Sequence, residues 1–461
     1  MEQAIVERST SRAHVVVLPF PAQGHINPAV QLAKCFTSKG LKVTVATTLS
    51  VSKSLETEGG GSLAFEPFSD GCEEDGVAKV LGIERYLERF ELYGSKNLCA
   101  LIEKYNGTEY PVKCLVYDSG ITWALHLAKR LSLLGASFFT QTCAVTAIYH
   151  HVYHKRLSVP IQGSTVSLPG FPILERRDLP SFVNDVESYP FIFHNIVLNQ
   201  FSNVNDADFI FFNTFDKLEE GVVDWVAKQW PNKVLTIGPS TPSIYQGKQD
   251  DSDKDYGLNV FAQDSSTCMN WLNTKENESV VYVSYGSVAD MKKEQMEELA
   301  WGLRRSGYNF LWVVRATDQS KLPDKLVEEI AGKGLIVTWC PQLEVLAHRS
   351  VGGFLTHCGW NSTLEALALG VPMVAMPQWT DQMTNAKFVQ DVWKVGIRTT
   401  GNDNGVVGRE EIERCVVEVM EGERRVEIKK SLAQWNALAK EAVNEGGSSD
   451  KNIEAFAARL L

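Results

Sequence analysis

Long apolar runs are missing from this chain of 461 residues. None approaches the roughly 18 residues that a membrane helix needs. The opening stretch, Met1 to His14, is polar and carries Glu2, Glu7, Arg8 and Arg12, and the apolar run behind it, Val15 to Phe20, is too short for a secretory signal. A cytoplasmic protein with no membrane segment is therefore expected. The nine cysteines (35, 72, 99, 114, 143, 268, 340, 358, 415) include no C-x-x-C pair, which suits reduced, buried thiols better than disulfides or a zinc site. Basic residues are outnumbered, 45 Lys and Arg against 56 Asp and Glu, for a net charge of −11. A nucleic-acid partner is excluded on that balance, because binding it needs a basic footprint. There is no G-x-G-x-x-G turn either, which removes the main support for a nicotinamide oxidoreductase.

What is present is ordinary globular composition, with 44% hydrophobic, 10% aromatic and 22% charged residues, and a repeating rhythm of short strand, turn and helix. His14 to Phe20 reads as a buried strand and Pro21-Ala-Gln-Gly-His25 as a loop. Asn27-Pro28 then offers a cap and first-turn proline, and Ala29, Leu32, Ala33 and Phe36 form one apolar helix face. Val112 to Tyr117, Asp118-Ser-Gly and Thr122 to Leu133 make a second such unit. The rhythm breaks at Gln246 to Tyr256, a polar, acidic stretch that reads as an exposed linker. It then resumes with strands at Ser279 to Tyr285, Asn309 to Arg315, Gly334 to Cys340, Gly352 to His357 and Val371 to Pro377. Strands alternating with helices imply parallel sheets covered on both faces. The expected fold is α/β, two doubly wound domains, with Ser449 capping a last helix over Lys451 to Leu461.

Open parallel sheets bind ligands beyond the carboxyl ends of their strands, so candidates stand just after each strand. His25 and Asp118 do so in the first half. Taken singly, each has a structural explanation, a loop histidine bonded to backbone and an Asp capping a helix. Together they suggest a carboxylate fixing the tautomer of a general base, kept neutral by a nearby helix N-terminus. In the second half, His357-Cys-Gly-Trp-Asn-Ser362 leads from a strand through a glycine turn into a helix, a ready anion site to which His357 adds a hydrogen bond or a positive charge. Gly286-Ser287 offers a second phosphate cradle. Ser362 and Glu365 fit a capping box and fit ribose binding equally well. Trp339 and Trp360 are core or rim aromatics, or flat platforms for a base.

The stretch from Trp339 to Gln382 reads WCPQLEVLAHRSVGGFLTHCGWNSTLEALALGVPMVAMPQWTDQ. It resembles the signature box of plant UDP-dependent glycosyltransferases of secondary metabolism over its full length. PFPAQGHINPAVQLAK, VYVSYGS and EGGSSDKNI extend the resemblance over nearly the whole chain. The resemblance implies the GT-B fold, two Rossmann-like domains facing across a cleft. Residues 1–240 would form the acceptor domain, 241–262 the linker, 263–445 the UDP-sugar domain, and 446–461 a helix crossing back. It further implies that Trp339 stacks on uracil, Cys340 meets its edge through backbone, and Gln342 and Glu365 take the ribose hydroxyls. His357, Asn361, Ser362 and Ser287 would hold the pyrophosphate. Trp360, Asp381 and Gln382 would contact the sugar, with Thr140 nearby from the other domain. Gln382 points to glucose over galactose. His25 resembles the base, against the acceptor, and Asp118 its orienting acid. Lys34-Cys-Phe-Thr and His126 depart from the pattern.

The activity implied is inverting transfer of glucose from UDP-glucose to a hydroxyl or carboxylate of a small lipophilic acceptor, a phenolic or flavonoid, steroid or terpenoid. The product is a β-glucoside. UDP-glucose is a co-substrate; no cofactor and no metal are expected, and the chain is expected to be a monomer. Two alternatives stand beside it. A metal-dependent glycosyltransferase would use an Asp-x-Asp triplet, of which Asp206-Ala-Asp208, Asp251-Ser-Asp253 and Asp253-Lys-Asp255 are present. A non-catalytic UDP-sugar-binding protein would keep the box and have no need of His25 and Asp118.

Overall fold

In the computed structural model, residues 13–53, 63–73, 82–246, 253, 256, 266–287, 291–323, 325–330 and 332–461 are described. The first sheet holds seven parallel strands: β1 (His14–Leu18), β2 (Lys42–Thr48), β3 (Leu63–Phe68), β4 (Val112–Asp118), β5 (Leu134–Phe139), β8 (Phe209–Phe212) and β9 (Val234–Thr236). A small hairpin, β6 (Thr165–Val166) with β7 (Leu174–Glu175), stands apart. The second sheet has six parallel strands: β10 (Val280–Ser284), β11 (Asn309–Val313), β12 (Gly334–Val337), β13 (Val351–Thr356), β14 (Met373–Ala375) and β15 (Gly396–Arg398).

The strand orders explain where a ligand belongs. The first sheet runs β3-β2-β1-β4-β5-β8-β9, so its direction of winding reverses between β1 and β4. The second runs β12-β11-β10-β13-β14-β15 and reverses between β10 and β13. At such a switch point the connections leave in opposite directions and open a crevice beyond the strand ends. His25 and Asp118 stand at the first crevice, and Ser287 and the His357 turn at the second.

Burial follows the parallel-sheet rule. Every residue of β1, β10 and β13 is buried, because helices cover both faces. The helix Gln23–Ser38 lays Ile26, Ala29, Val30, Leu32, Ala33 and Phe36 on the first sheet. It also corrects an expectation. The helix starts before the Asn27-Pro28 signal, with Ala22 as its cap residue and Pro28 inside it, and the Asn27 side chain accepts from Gln23 instead of capping.

The last helix, Ser448–Leu460, follows Gly447, and Ser449 lies within it and does not cap it. Its hydroxyl donates to the carbonyl of Gly238 at 2.7 Å, and Phe456 packs 4.7 Å from Phe36 and 5.0 Å from both Phe209 and Phe211. The chain's end thus covers the first sheet. Of the linker, residues 241–246, Asp253 and Tyr256 are described. They are not the free surface expected: Gln246 is buried, Asp253 pairs with Lys34 at 2.6 Å and accepts the Ser243 N–H, and Tyr256 reaches into the second domain. Polar residues leave the surface here because each finds a partner.

Candidate active site

His25 occupies the first turn of Gln23–Ser38, beyond β1. Asp118 is the last residue of β4, and β1 and β4 are hydrogen-bonded neighbours. The register carries the carboxylate to the imidazole, Asp118 Oδ2 lying 2.6 Å from His25 Nδ1. Asp118 Oδ1 accepts the Gly120 N–H at 3.0 Å, so the carboxylate is held at both oxygens and is 4% exposed, while the histidine side chain is 40% exposed. Thr140, just beyond β5, places its hydroxyl 3.1 Å from the same Nδ1. Nε2 is left as the ring's second nitrogen, on the opposite edge of the imidazole.

Burial opposes a charge on His25, but the Asp118 carboxylate, through its charge and hydrogen bond, and Asp381 across the cleft raise its pKa above the ordinary imidazole value. This opposes the shift expected from the helix N-terminus: a full carboxylate charge at 2.6 Å outweighs the partial charges of the helix end. The ring is a base strengthened by its partner.

In the second crevice, β13 ends at Thr356, and His357-Cys358-Gly359 turns into the helix Trp360–Leu369. The turn needs its glycines for room. A Cβ on Gly359 would lie 2.5 Å from His357 Nε2, and one on Gly286, after β10, 2.8 Å away, so both backbones close directly onto the imidazole. Burial lowers the His357 pKa to about 4. The ring is therefore neutral, and the positive charge expected from it is absent. The leading amides of Trp360, Asn361 and Ser362 have no acceptor within their own helix, and they open on the same crevice as Ser287.

The ribose candidates form one chain of hydrogen bonds. Gln342 opens the short helix Gln342–Leu346 and donates from Nε2 to Glu365 Oε2 at 2.6 Å and to Ser362 Oγ at 3.0 Å. Its Oε1 accepts from the Tyr282 hydroxyl at 3.0 Å. The linker's Tyr256 donates to Glu365 Oε1 at 2.7 Å. Burial pushes the Glu365 carboxyl above its usual range against these two donors. The capping-box alternative falls: the cap residue is Gly359, and no side chain caps the helix. Trp339 is half-buried beyond β12. Cys340 is buried, its thiol pushed up to about 12 by burial and 3.3 Å from the Tyr282 hydroxyl.

Two candidates bind the other domain. Trp360 is buried and its indole N–H donates to the Asn213 carbonyl at 2.7 Å, so its side chain braces the domain contact and only its backbone N–H remains for a sugar. Asn361 donates from Nδ2 to the carbonyl of Gly24 at 2.7 Å. Pro28 explains that carbonyl's availability, since a proline four residues on has no N–H to bond it. Asp381 and Gln382 lie beyond β14. Asp381 accepts from Thr380 Oγ1 (2.6 Å) and Asn385 Nδ2 (2.7 Å), and burial raises its pKa against those donors. Gln382 Oε1 accepts the N–H groups of Gln378 and Trp379.

The cleft mouth is aromatic. Phe20 lies 5.5 Å from His25 and edge-on to Tyr86 and Phe90. Those two belong to a continuous helical segment, Ile83–Arg89 and Phe90–Gly94. Phe182 and Tyr189 of the first domain face Trp379 of the second at 6.0 and 6.1 Å. Asp206 and Asp208 sit before β8, at the opposite edge of the sheet, where Asp208 binds Lys129 and the Gly135 N–H. Asp251 and Asp255 lie outside the described residues, and among the described residues no cluster of three or more His, Cys, Asp or Glu side chains forms a metal site. No described helix is long and apolar enough to cross a membrane.

Tyr256, Tyr282 and Ser181 were not singled out from sequence. Tyr282 carries a faint signal, a hydroxyl inside an otherwise apolar buried strand. Tyr256 carries none, since its neighbours in sequence are linker-like.

Two Rossmann-like sheets meeting at their switch points, with a histidine–carboxylate pair on one side and an anion-binding helix end on the other, define a GT-B nucleotide-sugar transferase. The comparisons with known proteins agree. Residues 253–429 match the family described as UDP-glucoronosyl and UDP-glucosyl transferase. The chain is 48% identical to mogroside I-E synthase of Siraitia grosvenorii over 97% of its length and 98% of that protein. It is 51% identical to UDP-glycosyltransferase 74E2 of Arabidopsis thaliana, over 96% and 98%. The crystal structure of Os79 from O. sativa in complex with UDP superposes with a TM-score of 0.91 at 39% identity, covering 97% of this chain and all of that one. The chain belongs to the plant family 1 UDP-glycosyltransferases, enzymes that transfer a sugar from a UDP-sugar to small-molecule acceptors.

Proposed function

We propose that this enzyme transfers glucose from UDP-glucose, with inversion and without a metal, to a hydroxyl or carboxylate of a small lipophilic acceptor, giving a β-glucoside. The observation that carries the reading is the His25–Asp118 pair, 2.6 Å apart, on the first domain's side of the cleft and within electrostatic reach of Asp381 on the second. His25 Nε2 takes the acceptor proton as that oxygen attacks the anomeric carbon. The bond to UDP breaks on the opposite face, and Asp118 stabilises the imidazolium that forms. Negative charge grows on the departing diphosphate, where the Trp360–Leu369 helix end and Ser287 receive it. Trp339 stacks on uracil, Gln342 and Glu365 hold the ribose, and Asp381 and Gln382 hold the hexose.

The acceptor classes that fit are phenolics or flavonoids, steroids and terpenoids, in keeping with the accessible aromatics at the cleft, Phe20, Tyr189 and Trp379. A relative named flavonol 7-O-beta-glucosyltransferase, 43% identical, and Os79 crystallised with a trichothecene support that range. The test is His25→Ala with UDP-glucose and an aglycone panel, read by UDP release and product mass. Turnover of hydroxyl acceptors should fall about 10²–10⁴-fold, with a smaller loss for carboxylates, which arrive ionised. Chelation should leave the wild-type rate unchanged. Full activity of His25→Ala on a hydroxyl acceptor would overturn the reading.

A further inference from the structure

Beyond Asp178 a short helix of the first domain, Ser181–Asn184, meets the second domain. Ser181 takes up both main-chain groups of one residue there. Its N–H donates to the Thr380 carbonyl at 2.9 Å, and its hydroxyl oxygen accepts the Thr380 N–H at 2.7 Å. Thr380 needs such a hold. Its φ is +57°, a left-handed conformation that a β-branched residue adopts only when its surroundings impose it.

The held residue is the neighbour of the two that would touch the sugar. Thr380 Oγ1 donates to Asp381 Oδ1 at 2.6 Å, and Asn385 Nδ2 donates to Oδ2 at 2.7 Å, so the orientation of the Asp381 carboxylate depends on where the Thr380 backbone sits. The side chain of Gln382 is bound to the amides of Gln378 and Trp379 in the same loop. The neighbouring anchors are also interdomain: Thr384 Oγ1 donates to the Asp178 carbonyl at 2.7 Å, and Arg398 pairs with Asp178 at 2.5 Å. Among these, Ser181 is the one that grips the loop beside the carboxylate.

We propose that Ser181 is a positioning residue for the hexose: by clamping Thr380 it sets Asp381 and Gln382 for the sugar only while the two domains are together. Recognition of the sugar, though not of UDP, then depends on the acceptor domain. This rests on the reading of Asp381 and Gln382 as sugar-binding residues.

Ser181→Ala keeps the N–H donor and strands the Thr380 N–H. It should lower kcat/KM for UDP-glucose about tenfold, the cost of one unmet half-buried amide, while the Kd for UDP measured by calorimetry stays within about twofold. Ser181→Thr restores the hydroxyl and should recover most of the loss, which separates the clamp from a general effect on folding. In an Asp381→Asn background, Ser181→Ala should cost little more, because both act through one carboxylate. Unchanged kcat/KM in Ser181→Ala, an equal loss of UDP affinity, no recovery in Ser181→Thr, or independent effects in the double variant would each overturn the clamp alone. If Asp381→Asn itself leaves UDP-glucose turnover intact, the sugar-site reading falls and the clamp falls with it.

Discussion

At the scale of single residues, the site turns on how Asp118 treats His25. Burial alone would hold the imidazole uncharged; the carboxylate reverses that and raises the pKa. A base must be neutral to accept a proton, so kcat/KM with hydroxyl acceptors should rise with pH through this raised value. Asp118→Asn removes the charge and leaves burial dominant, so the His25 pKa drops and the acidic limb of the profile moves to lower pH. The plateau should also fall, by at least about 10²-fold, because the imidazolium loses its partner and its fixed tautomer. A pH–rate profile of the two enzymes checks both, and an acidic limb that stays in place would sink the assignment. Both residues stand at predicted strand ends and were legible there. Their pairing was an inference, since they lie 93 positions apart.

Elements decide the donor side. The H-C-G-W-N-S turn was readable as strand, glycine and helix start because those are local backbone preferences. What the turn wraps was not. Gly359 and Gly286 come from loops after different strands, yet both press on one buried imidazole. Gly359→Ala should therefore displace His357 and the helix end with it. UDP affinity should weaken by about tenfold or more, measurable by calorimetry, since a Cβ at 2.5 Å forces a shift in a packed interior. The first helix teaches a related lesson. Pro28 marked a helix start by statistics, but the helix begins at Gln23, and the proline's effect is to release the Gly24 carbonyl to Asn361. Whether a proline opens a helix or sits inside it depends on what its missing N–H leaves exposed, and only the facing domain settles that.

Over the whole molecule, one apolar cluster runs through both sheets, and buried polar contacts fix how the domains meet. Asp178 is buried between the domains and pairs with Arg398 at 2.5 Å and Lys387 at 3.5 Å. Arg398→Ala would leave that carboxylate with the more distant lysine and the Glu175 N–H. A loss of about 2–3 kcal/mol is expected, below the ~3–5 of a fully broken buried pair, and urea unfolding checks it. The same variant should raise KM for UDP-glucose, because the segment that loosens carries Ser181. At the other contact, Phe456 seats the last helix on Phe36, Phe209 and Phe211, so the final residues of the chain complete a core begun by the first strand.

The sequence by itself determined the alternation of strands and helices, the residues at the strand ends, and the recognisable box from Trp339 to Gln382. Periodicity, turn chemistry and motif spacing are local, and a reader of the chain needs nothing else to see them. The tertiary structure decided which side chains meet. Asn361 reaches a carbonyl 337 positions away, Ser181 holds a backbone 199 positions away, and Tyr256 reaches Glu365 from a stretch that reads as linker. These partners are set by strand order and by how one domain faces the other, and the hydrogen-bonding need of a buried group names the kind of partner required without naming the residue that supplies it.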